Sequence, residues 1–261
     1  MSKLGIDVSY HQGKIDWQKV KASGIDFVII RAGYGRDNID KQFVNNVNGC
    51  IENNIPFGVY WFIYGVNAEE AIQNATKCHD VIKQYQDKIT MRVWCDLEYD
   101  TDRNALKRGV TLTKDVRTEM IVAFCEKMKE YGYSVGNYAN PDYLNNKLHD
   151  LTQYPLWLAR YSTAKGNYEC EMWQYSSKGS VPGVKGNVDM NYYYGEFKKK
   201  IEYYEAPEFT LLDSLNKIGV DSSYQNRKKI AKANGIENYS GTAEQNIQML
   251  QMLNEGKLIE A

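Results

Sequence analysis

Val93-Trp94-Cys95-Asp96-Leu97-Glu98-Tyr99 is an apolar run that ends in two acids. Read as part of a strand over 92–99, its side chains alternate between faces, so Asp96 and Glu98 share one surface and Cys95 points to the other. That alternation argues against a thiol nucleophile beside the acids. A lone Asp-x-Glu is a weak signal. Its place at the C-terminal end of a strand strengthens it, because β/α barrels build their sites at that end.

Working outward, seven further strand candidates flank this one, at 5–9, 26–33, 57–64, 134–139, 156–161, 171–176 and 188–193, with helical patterns at 16–23, 40–53, 68–85, 114–131 and 143–149. Strands alternating with helices read as an α/β fold with a largely parallel sheet. About 190 residues is short for a full eightfold barrel of typically about 250, and the late strands follow one another too closely for helices between them. The expectation is an irregular (β/α) barrel with fewer than eight helices, over residues 1–200. Lys198-Lys199-Lys200 and the polar stretch through Glu205-Ala206-Pro207 read as a linker. A small all-α domain is expected over 208–261, with three helical patterns. The clearest opens with a capping box of Thr242 and Gln245, and Gly235 stops the helix before it. A unit of about 50 residues is marginal alone, so docking or self-association is expected of it.

Composition narrows the partners. The 261 residues carry a formal net charge of -1, which speaks against capture of nucleic acid or of an anionic membrane. No segment is long enough to span a bilayer, and no charged start followed by an apolar stretch marks an export signal. Tyr is abundant at 21, with 5 Trp, and such rings line carbohydrate sites or a Tyr-rich surface with equal ease. Cys50, Cys78, Cys95, Cys125 and Cys170 form no close-spaced pair and read as reduced and structural. His11, His79 and His149 are scattered, so no metal site is expected. Gly33-Tyr34-Gly35 lacks the third glycine of a dinucleotide loop. Asp100-Thr101-Asp102-Arg103-Asn104 lacks the glycine and terminal Glu of a calcium loop. Both read as loops.

Two carboxyls on one surface suit glycosidic cleavage, which needs one protonated acid for the leaving oxygen and one ionised group for the positive charge at the sugar carbon. Repulsion between neighbours raises one pKa toward that role. Asp7 and Asp189 end the first and last strand candidates, which are neighbours in a closed barrel, so four carboxylates can converge. Tyr60 and Phe62 share a strand face, and Tyr34, Tyr138, Trp157 and Gln174 fall at or near strand ends. These six are the candidates to stack on or bind sugar rings.

Asp7, the Asp96-Leu97-Glu98 triplet and Asp189 together resemble the acidic set of glycoside hydrolase family 25, the muramidases. The likeness extends in order through Gly5–Gly13 with Ile15-Asp16-Trp17, Phe27-Val28-Ile29-Ile30-Arg31-Ala32, Gly58-Val59-Tyr60-Trp61-Phe62, Leu156-Trp157-Leu158-Ala159 and Trp173-Gln174-Tyr175. The resemblance implies hydrolysis of the β-1,4 bond between N-acetylmuramic acid and N-acetylglucosamine in peptidoglycan, without metal or organic cofactor. It implies that Glu98 is the acid and that Asp96 is a nucleophile or orients the substrate's acetamido group. Asp7 and Asp189 would position water, substrate or the other carboxylates, and retention of configuration is implied by analogy.

The stretches 218–231 and 238–243 are similar to small C-terminal modules of clostridial and phage cell-wall hydrolases, which implies binding to a cell-wall polymer; a helical unit for homo-oligomer formation is the alternative. A wall hydrolase without an export signal is expected to be a phage endolysin, made in the host bacterial cytoplasm and acting on the wall after release. A bacterial autolysin is the alternative. Two further rivals are a chitinase-like enzyme, against which Trp94 stands where that family has an acid, and a non-catalytic wall-binding protein.

Overall fold

The computed structural model describes residues 2–197 and 210–261. The chain divides into two compact units, Met1–Lys198 and Lys199–Ala261. The expected linker at 198–207 lies outside the described residues.

The first unit is a closed barrel of eight strands: β1 (Lys3–Val8), β2 (Phe27–Tyr34), β4 (Phe57–Phe62), β5 (Val93–Asp96), β6 (Val135–Ala139), β7 (Leu156–Ala159), β8 (Met172–Gly179) and β9 (Val188–Tyr193). Neighbours pair in the order β1-β9-β8-β7-β6-β5-β4-β2, and a parallel β1–β2 ladder closes the ring. Only β9 runs against its neighbours on the ring. A two-residue strand, β3 (Asn38–Ile39), folds back on the end of β2. Helices α1 (Trp17–Ala22), α2 (Phe43–Glu52), α3 (Ala68–Ile82), α4 (Tyr99–Lys107) and α5 (Lys114–Glu130) all fall before β6. From β6 onward the described connections hold only one π-helical turn, Tyr143–Lys147. The missing late helices account for the short chain.

Side-chain alternation sorts the core into two layers. Phe27 and Ile29 of β2, Trp94, Tyr138, Trp157, Met172 and Tyr193 fill the barrel. Val28, Ile30 and Ala32 face outward into the layer under the helices, together with Cys78, Cys95 and Cys125. Large rings fit inside because small residues stand opposite them: a Cβ on Gly5 would strike the Phe27 ring, and one on Gly136 the Trp94 ring. Helices α1, α3 and α5 start where short polar side chains cap them, Asp16 on Lys19 N, Asn67 on Glu70 N and Thr113 on Val116 N.

Two readings are corrected. Residues 100–104, expected as loop, lie inside α4, and Gly33 and Tyr34 belong to β2 rather than to a loop. Helix α4 is easily missed in the sequence because its buried face holds only Thr101 and Ala105, too few for a clear apolar stripe.

The second unit holds α6 (Leu211–Lys217), α7 (Tyr224–Ala233) and α8 (Ala243–Asn254). Thr242 and Gln245 form the reciprocal capping box at the start of α8, and Gly235 follows α7 at φ +71°, where glycine escapes the Cβ penalty. Leu211, Leu215, Ile230, Met249, Leu253 and Leu258 are buried together. Arg227 donates to Tyr239 Oη (2.7 Å) and Asn246 Oδ1 (2.9 Å), tying α7 to α8.

Candidate active site

β5 ends at Asp96, and Glu98 follows as the N-cap of α4 with φ -135° and ψ -173°, so extended backbone carries the alternation through it. The Glu98 N–H donates to Thr101 Oγ1 (3.3 Å), and that buried hydroxyl donates to the Ile63 carbonyl (2.6 Å). The first turn of α4 thus fixes Glu98 over the end of the strand. In the ring, Phe62, Asp96 and Tyr138 stand in one register row. Asp7 stands directly opposite Asp189 across β1 and β9, so all four acids occupy the same mouth of the barrel.

Asp7 is held by a directional network. Gln174 Nε2 and Asn191 Nδ2 each donate to its Oδ2 at 2.8 Å. Tyr138 Oη (2.9 Å) and Tyr161 Oη (3.1 Å) donate to Gln174 Oε1, and Trp157 Nε1 donates to Asn191 Oδ1 at 2.8 Å. Because an indole N–H can only donate, Trp157 fixes which end of the Asn191 amide meets Asp7.

Burial dominates the electrostatics. It pushes Asp7 up to about 8, aided by the charges of Asp189 and Glu98 and opposed by the two amides. Burial likewise raises Asp189 to about 6. Asp96 is driven well above the carboxylate range by burial and then by Glu98, while Arg31 pulls the other way. Glu98 is raised by burial and by Asp100 and Asp189, partly offset by its bond to Asp96 and by Arg103. Asp96 Oδ1 has no donor, and two carboxyls bond to each other only by sharing a proton. Both carboxyls are thus raised above the ordinary range, and half-buried Glu98, the more exposed member, is placed to deliver a proton outward.

The aromatic candidates separate by depth. Tyr34, Tyr60 and Phe62 are half-buried at the mouth, and Tyr64 joins their wall, with ring centroids 5.0 Å from Phe62 and 6.1 Å from Tyr34. Tyr138 is 6% exposed, Gln174 4% and Trp157 2%. Trp157 packs edge-on against Tyr138, Tyr60 and Trp94 beneath the acids, so it offers no free face to a sugar. Gln174 spends both ends of its amide on the network just described. These two carry the site from below.

Sequence reasoning did not single out Asn191, Tyr161, Tyr10, Asp40 or Arg31. Exposed Tyr10 and Tyr161 flank the mouth. Arg31 Nε donates to Asp40 Oδ2 at 2.8 Å, and its guanidinium lies 4.9 Å from the Tyr10 ring centre and 5.5 Å from that of Tyr34. The available signal was a lone cation at an inward position of an otherwise apolar strand. A cavity of about 780 Å³ opens on the outer flank, bordered by Asn137, Leu148 and Leu156, and none of the four acids lines it.

Residues 6–184, more than half of the chain, match the family described as glycosyl hydrolases family 25. The chain is similar to the autolytic lysozyme of Clostridium acetobutylicum, 27% identical over 197 residues that make up 72% of this chain and 54% of that one. Among solved structures it is similar to the modular autolysin LytC from Streptococcus pneumoniae in complex with a synthetic peptidoglycan ligand. That likeness has a TM-score of 0.67 and 29% identity, over 74% of this chain and 47% of LytC. The chain thus spans about half the length of either relative. A stretch of 47 residues, 18% of the chain, is 53% identical to the L-alanyl-D-glutamate peptidase of Listeria phage A118, covering 17% of that protein. On the match over residues 6–184, the chain belongs to glycosyl hydrolases family 25.

Proposed function

We propose that the chain is an N-acetylmuramidase that hydrolyses the β-1,4 bond between N-acetylmuramic acid and N-acetylglucosamine in peptidoglycan. The observation that carries this reading is the convergence of Asp7, Asp96, Glu98 and Asp189 at one barrel mouth with raised pKa values. Glu98 delivers its proton to the glycosidic oxygen, the sugar bearing that oxygen leaves as its alcohol, and the anomeric carbon left behind takes on oxocarbenium-like charge. Asp96 in its ionised form stabilises that centre. It serves either as nucleophile or as the acceptor that orients the acetamido group, and water then completes the hydrolysis. Asp7, Asp189, Gln174 and Asn191 fix the frame in which this occurs. The step needs proton transfer and charge stabilisation, both of which these side chains supply.

The finer reading is a phage endolysin whose unit at 208–261 binds a cell-wall polymer. A short stretch shared with an enzyme named for cutting a different bond is what a separable module would leave, and it supports this reading. Such a module raises the local concentration of the barrel on its polymer. Synthesis in a host bacterial cytoplasm and action after release belong to this reading. A bacterial autolysin of the same activity is the second reading, favoured by the likeness to the clostridial lysozyme.

The test is release of reducing sugar, with product mass, from purified peptidoglycan by the intact chain and by Glu98→Gln. Fragments ending in reducing N-acetylmuramic acid, lost in the variant, uphold the assignment. Cleavage of soluble chitin oligomers instead favours a chitinase, and wall binding without any release favours a binding protein.

A further inference from the structure

Arg31 is the inward-facing cation of β2, set among acids it does not fully engage. Its Nε is taken by Asp40, which is 3% exposed and also accepts the N–H of Tyr10 (3.0 Å) and of Gln42 (2.9 Å). Its Nη2 is shielded from solvent and has no partner, and Asp96 Oδ1 is likewise buried without a donor. An unpaired buried donor and an unpaired buried acceptor at one barrel mouth are costly to keep. A rigid planar fork held at one edge leaves the other edge aimed.

The titratable groups that sense or act on Asp96 are Glu98 two residues on, neighbouring Cys95, Asp7 from β1, Arg31 from β2, Tyr60 from β4, Tyr64 just beyond it and Tyr138 from β6. Among these Arg31 alone is positive. Arg103 and Asp100 of α4 and Asp189 of β9 face Glu98. We propose that Arg31 is a positioning residue for the catalytic pair: clamped by Asp40, it supplies the counter-charge under which Asp96 works. This rests on the muramidase reading. Arg31 acts through Asp96 and makes no bond to the reacting atoms.

Seen from Asp96, Arg31 and Asp40 are opposite charges side by side, so removing one or the other has opposite consequences. The measurement is kcat/KM for peptidoglycan hydrolysis against pH, whose acid limb reports the group that must be ionised. Arg31→Gln should move that limb up by about one pH unit, the order that one charge within about 10 Å supplies at an effective dielectric constant of about 20. Asp40→Asn should move it down, and Arg31→Lys should leave it in place while lowering kcat. Limbs that coincide for wild type, Arg31→Gln and Asp40→Asn, with activity merely reduced, overturn the proposal. So does a lysine variant displaced as far as the glutamine one. If circular dichroism shows Arg31→Gln unfolded, the downward shift of Asp40→Asn and the fixed limb of Arg31→Lys decide. An inactive wild-type chain is a separate result: it removes the muramidase reading itself.

Discussion

The barrel mouth holds two carboxylate pairs built in opposite ways. Asp96 ends β5 and Glu98 caps α4 two residues on, both are raised above the ordinary carboxylate range, and Asp96 Oδ1 is left without a donor. Asp7 and Asp189 face each other across two antiparallel strands, and Asp7 is gripped by two amides that are themselves gripped by Tyr138, Tyr161 and Trp157. An unsatisfied buried polar group is a standing cost, tolerated where a substrate will meet it. The first pair is thus left reactive, and Asp7 of the second is tied down as its frame.

Neutralising the open pair should have the largest effect. Asp96→Asn keeps the shape but can no longer carry the negative charge that the sugar cation needs, so kcat should fall roughly a thousandfold. Wall binding and melting temperature should change little. A loss below about tenfold would mean that Asp96 is not the charge partner, and the contrast between the pairs would fail.

Disturbing the frame should cost less. Gln174→Leu strips one donor from Asp7 and orphans the buried hydroxyl of Tyr138, while exposed Tyr161 turns to water. One buried hydroxyl left wanting costs about 1–3 kcal/mol of stability, so thermal stability should drop visibly while kcat falls by less than in Asp96→Asn. A variant as inactive as Asp96→Asn but equally stable would place Gln174 in the chemistry instead.

Which parts of this contrast a reader finds in the sequence follows from what each part is made of. The reactive pair is legible because strand alternation has a period of two, so Asp96 and Glu98 announce a shared face by spacing alone. The fold is legible for the same reason: the outward and inward layers of Phe27–Tyr34 are written as an apolar run. The frame is not legible, because it is made between strands. Nothing local tells that Trp157 points its N–H at Asn191, 34 residues away, or that Arg31 meets Asp40 across the β2–β3 turn. Helix α4 is hidden by its polarity, its start being set by Glu98 and Thr101 rather than by an apolar face.

The smallest effect concerns the buried member of the frame and runs with pH. Asp7 has an ordinary value of 3.8 in the unfolded chain and about 8 when folded. Between those values the native state holds a proton that the unfolded state has released, so stability falls as pH rises through that window and levels off above about 8. Asp7→Asn keeps an oxygen for Gln174 and Asn191 yet has no proton to lose, so it should lack this slope. Its melting temperature relative to wild type should climb from about pH 4 to about pH 8 and then stay flat. Differential scanning calorimetry across that range reads it directly. A gap that is constant with pH would show that Asp7 is ionised throughout, and then the frame, like the open pair, would carry its full charge into the cleft.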